Sequence, residues 1–136
     1  MTEPLRIEKN GTLYALVVPN GLPVEDARFL TSQESPFQVG VMERPIGYVV
    51  QPHRHPPASL QISSVSEFLY IERGRVKAVI YDVAWRVVGE DVLSTGDAIL
   101  LLAGGHSFEV LEPCRMLEVK QGPYPGEEAA KVYKNP

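Results

Sequence analysis

The chain has 136 residues, close to the commonest size of a single domain and long enough to bury about two thirds of its unfolded surface in one core. With 13 Lys and Arg against 17 Asp and Glu the net charge is −4, and no basic cluster offers a footprint for DNA or RNA. A lone cysteine, Cys114, excludes an internal disulfide and a cysteine-based zinc site, and reads as a buried small apolar residue.

The N-terminal MTEPLRIEKNGT is too polar for a secretory signal. The longest aliphatic run, Ala98 to Ala103, is far shorter than the roughly 20 residues that span a bilayer. A cytoplasmic protein with no membrane partner is therefore expected. Leu13 to Val18 reads as a strand closed by the turn residues Pro19-Asn20-Gly21. Val24 to Leu30 reads as about one helical turn, too short to be stable alone, and Phe37 to Met42 reads as a second strand broken at Arg44-Pro45. Ile46 to Val50 reads as a strand leading to His53 and His55, with Pro52 marking an edge or the end of pairing.

Further strands are expected at Glu67–Glu72, Arg75–Tyr81, Trp85–Val88, Ala98–Leu102, Ser107–Leu111 and Arg115–Lys120. Turns are expected at Arg73-Gly74, Gly89-Glu90-Asp91 and Thr95-Gly96-Asp97. Alternation places Val76, Ala78 and Ile80 in the core, and Tyr70, Trp85 and Met116 read as packing residues. Short strands at regular spacing with glycine-bearing turns indicate an all-β sandwich or barrel. From Gly122 the chain changes character, to a tail that either frays or folds over the barrel mouth or a partner, with a brief helix at EEAAK.

The chemistry-bearing residues are few. His53 and His55 are two apart, so on an extended backbone both rings leave one face, and parity adds Val49 and Gln51 to that face. An isolated His-x-His is as readily a solvated loop pair as a ligand pair. The chain has 3 histidines, and the third, His106, follows Gly104-Gly105 after an apolar strand.

These stretches resemble the two motifs of the cupin family. Gly47, five residues and His53-Arg54-His55 fit the opening of the first motif, and Glu67, six residues and Gly74 fit its end. Eleven residues separate His55 from Glu67, more than the motif has, and Ser59 and Leu60 stand where its Glu is expected. Gly96 to Phe108 resembles the second motif, with Leu102 in place of Pro, one residue rather than two before His106, and Val110 in place of Asn.

The resemblance covers about residues 36–121. It implies a single-domain cupin jelly-roll barrel (a double-stranded β-helix), with strand 13–18 before the core and the tail 122–136 after it. It also implies a divalent transition metal (Zn, Fe, Ni or Mn) on His53, His55, Glu67 and His106, with Val49, Gln51 and Phe108 lining a substrate pocket. The expected activity is that of a metal-dependent isomerase, epimerase or dioxygenase acting on a sugar, carboxylate or carbonyl compound. A non-catalytic ligand-binding or sensing cupin, with or without metal, is the alternative. Strand 13–18 is the expected edge for pairing with a second copy in a homodimer.

Overall fold

The computed structural model describes residues 3–135, apart from the side chain of Glu127. They form eight strands and one short helix. These are β1 (Leu5–Lys9), β2 (Thr12–Val18), β3 (Ala27–Phe29), β4 (Gly40–Met42), β5 (Glu67–Tyr81), β6 (Val87–Ser94), β7 (Ala98–Leu101), β8 (Gly105–Lys120) and α1 (Glu127–Ala130). The all-β expectation holds, and no helix among these residues is long and apolar enough to cross a membrane.

The chain divides into two compact units. Of the described residues, one unit comprises 3–22 and 64–135, the other 23–63. The larger unit is an antiparallel sheet of order β1-β2-β7-β5-β6, with β8 on the other edge of β5. The outermost strands of that order meet: a Cβ at Gly89 on β6 would lie 2.8 Å from Ile7 on β1. The sheet is therefore curled into a half-barrel, and its concave side holds the core. Ile7, Ala15, Val17, Leu69, Ile71, Val76, Ala78, Ile80, Leu93, Ile99 and Leu101 pack there, with Phe108 against them. The predicted core trio on β5 is fully buried.

Two paired strands are longer than expected. Arg73-Gly74 is not a turn, because β5 runs through it for 15 residues. Its partner β8 runs for 16, joining the two segments expected on either side of Glu112. The register between them shifts around Arg73 and Arg75, which marks bulges that bend the ribbon. Gly74 makes the bend possible. Its φ is +102°, and a Cβ there would lie 2.7 Å from the Cα of Cys114 and closer still to the carbonyl oxygen of Pro113. Bending one ribbon gives it two partners on one edge: β7 pairs Glu67 to Tyr70, and β6 pairs Arg75 to Tyr81.

Other expectations are corrected. Strand 13–18 is not an edge, since β2 pairs with β1 on one side and β7 on the other. The polar N-terminus hid β1, whose Ile7 is buried. Gly89-Glu90-Asp91 lies inside β6, and the chain turns earlier, where the amide of Trp85 donates to the carbonyl of Asp82. That turn is held by the Asp82 carboxylate, which accepts from the amides of Ala84 and Arg86 and from Lys9 Nζ at 2.8 Å. Tyr70 and Met116 are exposed rather than packed.

In the smaller unit, the expected helical turn at 24–30 contains β3 instead, paired with β4. The strand expected at Ile46–Val50 does not form among the described residues; the chain from Arg44 to Ile62 carries no strand pairing. Prolines at 45, 52, 56 and 57 remove the donors a ladder needs.

Candidate functional site

The larger unit brings Glu67 and His106 together. They sit near opposite ends of the bent ribbon, for Glu67 opens β5 opposite Lys120, whereas His106 pairs with Ile80 at the other end. The bend folds these ends toward each other, so His106 Nε2 lies 3.9 Å from Glu67 Oε2. Facing residues of an antiparallel pair share a side of the sheet. Opposite Ile80, Ala78, Leu69 and Glu67 stand His106, Phe108, Glu118 and Lys120, all on the concave side. Phe108 packs between the core and the imidazole, its ring centroid 5.6 Å from that of His106.

Burial sets the protonation of both groups. Glu67 has a side chain only 19% exposed, and desolvation is the largest cause that raises its pKa from 4.5 to about 7. A hydrogen bond with Glu118, and the charge of that carboxylate, push the same way against the pull of Lys120 and Lys131. Two carboxyl groups can share a hydrogen bond only if one carries the proton, and here Glu67 carries it. Desolvation is also the main cause lowering the pKa of His106, with Lys131 and Lys120 acting in the same direction and Glu118 opposing them. Near pH 7 the site thus pairs a protonatable carboxyl with a neutral imidazole, the two partners that general acid–base catalysis requires.

Glu118 and Lys120 were not legible as site residues. In Met116-Leu117-Glu118-Val119-Lys120 the alternation suggests apolar residues inside and charges outside. The structure differs: Leu117 and Val119 are exposed, while Glu118, itself exposed, and half-buried Lys120 share the side of the sheet that carries Leu69 and Glu67. The parity they share with His106 along a single β8 was the available signal, masked by reading two strands.

His53 and His55 belong to the smaller unit and are exposed. Their ring centroids lie 5.5 Å apart at 75°, so the two imidazoles are neighbours, as the spacing predicts. His53 Nδ1 lies 2.7 Å from the carbonyl oxygen of Gln51. A carbonyl only accepts, so this nitrogen donates, and the neutral ring keeps its lone pair on Nε2, the tautomer a metal ligand needs. Val49 and Gln51 are exposed in the same stretch. Among the described residues, no three or more His, Cys, Asp or Glu side chains are grouped so as to hold a metal ion.

The C-terminal tail of the larger unit returns to this sheet. Lys120 Nζ stands 5.7 Å from the centre of the Tyr124 ring, Lys131 acts on both Glu67 and His106, and Lys134 Nζ lies 5.8 Å from the ring of Tyr81. The tail's apolar side chains Tyr124, Val132 and Tyr133 are exposed. Compared with family models, with curated proteins and with solved structures, the chain matches none.

Proposed function

We propose that the concave face of the curled sheet is a small-molecule site at which Glu67 and His106 move a proton, the chemistry of an isomerase or epimerase. The observation that carries this reading is the 3.9 Å approach of an acid of pKa about 7 to a neutral imidazole inside a half-barrel. An acid and a base poised near working pH, on the same face as an apolar wall, suit abstraction and return of a proton beside a carbonyl. A sugar or a carbonyl compound carries such a proton. His106 takes it as base, and Glu67 protonates the developing oxyanion, with Glu118 holding the Glu67 proton in place.

The test is exchange of carbon-bound hydrogen in deuterated water, followed by proton NMR across a panel of aldoses, ketoses and keto acids. Wild type should label at least one compound, and Glu67→Gln and His106→Gln should not while retaining the wild-type circular dichroism spectrum. Exchange that persists in both variants refutes the assignment. A ligand that raises the melting temperature of wild type without label or product would instead establish the binding module.

A second reading adds a divalent transition metal within a cupin jelly roll. One observation favours it: Glu67 and His106 present an oxygen and a nitrogen 3.9 Å apart, near the separation of about 3.4 Å between two donors that each lie about 2.1 Å from a tetrahedral ion. They fit as half of a ligand set. Such an ion would polarise a carbonyl or hydroxyl oxygen. Elemental analysis of protein purified without a histidine tag should then give one equivalent of metal, lost in His106→Ala.

A further inference from the structure

We propose that the ligand of this concave face is an anion, with a carboxylate or phosphate oxygen seated on Lys120 beside His106. This rests on the reading of the face as a small-molecule site and adds the charge class of what enters it.

Lys120 is placed inward by its register opposite Glu67, and its side chain is only 30% exposed. An ammonium group drawn this far from water needs acceptors for three N–H donors. Its closest carboxylate oxygen, on Glu118, is at 3.8 Å, an ion-pair separation beyond the 2.7–3.2 Å of a hydrogen bond. Glu118 is also engaged with Glu67. The ammonium also lies 5.7 Å from the centre of the Tyr124 ring, whose face attracts a cation but accepts no strong hydrogen bond. His106 is in a similar position, since its Nε2 lies 3.9 Å from the carboxyl oxygen Oε2 of Glu67, beyond hydrogen-bond distance.

The charged and titratable groups facing this point are Glu67, Glu118, Lys120, Lys131 and His106. Lys131 adds a positive field at both Glu67 and His106. The face thus offers a part-buried cation and an imidazole, neither ring nor ammonium hydrogen-bonded to a side chain among the described residues, in a chain whose overall charge is −4. A ligand oxygen lying between them would turn two long approaches into short ones. An anionic oxygen makes the stronger, charge-assisted bond to an ammonium group.

The test is NMR titration of the full chain with inorganic phosphate and, separately, with malonate, observing the Lys120 Nζ and His106 Cε1 resonances. At least one anion should shift both resonances along a single saturable curve, more weakly at high salt. Lys120→Gln should weaken the binding read at His106 by about tenfold or more, and Lys120→Arg should retain it. Phosphate alone, malonate alone, or both, would show which oxyanion the site takes. Absence of a saturable shift with either anion, or an unchanged titration at His106 in Lys120→Gln, overturns the proposal. The reading of the face as a proton-transfer site fails separately, when exchange of carbon-bound hydrogen persists in both Glu67→Gln and His106→Gln.

Discussion

Replacing Glu67 with Gln should make the protein more stable above pH 7 and leave it nearly unchanged below pH 4.5. The carboxyl pKa is 4.5 in the unfolded reference and about 7 in the fold, with desolvation the main cause. Between those values the folded chain binds a proton that the unfolded chain has lost, so wild-type stability falls as pH rises through this window. At about 1.4 kcal/mol per pH unit the ceiling is about 3 kcal/mol. The carboxyl is partly screened by solvent and its proton is shared with Glu118, which reduces the expected effect to about 1–2 kcal/mol. Gln is close in shape to the neutral acid and has no charge to desolvate, so the variant should lack this loss. Urea unfolding in the presence of a chelator at pH 4.5, 6 and 8 reads it directly. With a slope of about 2 kcal/mol per molar urea, the wild-type midpoint should fall by about 0.5–1 M relative to the variant between the two extremes. Parallel midpoints for the two proteins at all three values would refute the burial argument, and with it the protonated state assigned to Glu67.

Gly74→Ala should destabilise the fold by about 2–4 kcal/mol, because a Cβ collides with Pro113 and Cys114 in a left-handed backbone conformation; a thermal melt measures this. Ile80→Ala, which empties a fully buried site behind His106, should cost about 2–5 kcal/mol by urea titration. Asp82 has a pKa lowered to about 2, chiefly by its hydrogen bond from Lys9, then by the Arg86 amide, so its stabilisation is present above pH 3.8 and lost as pH falls toward 2. Lys9→Met should therefore unfold at higher pH than wild type in an acid titration followed by circular dichroism. A homodimer should give twice the chain mass by light scattering. Among the described residues the long strand β8 pairs with β5 alone and bears exposed Leu111, Leu117 and Val119, so it is the edge at which such a dimer should form.

The sequence by itself determined the all-β class and most strand positions, because alternation of apolar residues and turn-forming glycines are local properties of the chain. It determined the core faces of Val76, Ala78 and Ile80 for the same reason. It also singled out Glu67 and His106, through the motif spacings that each belongs to. Where it failed, a long-range interaction overrode the local signal. Gly74 looks like a turn until its neighbour is known to be Pro113, which makes it a bend within one continuous ribbon. Glu118 and Lys120 look unrelated to the site until their partners across the sheet prove to be Leu69 and Glu67. Only tertiary structure decided that an acid near one end of β5 and a histidine opposite its other end would face each other. The reason is physical: the fold of a bent ribbon depends on pairing between residues distant in the chain, and the protonation of Glu67 depends on the water that this pairing excludes.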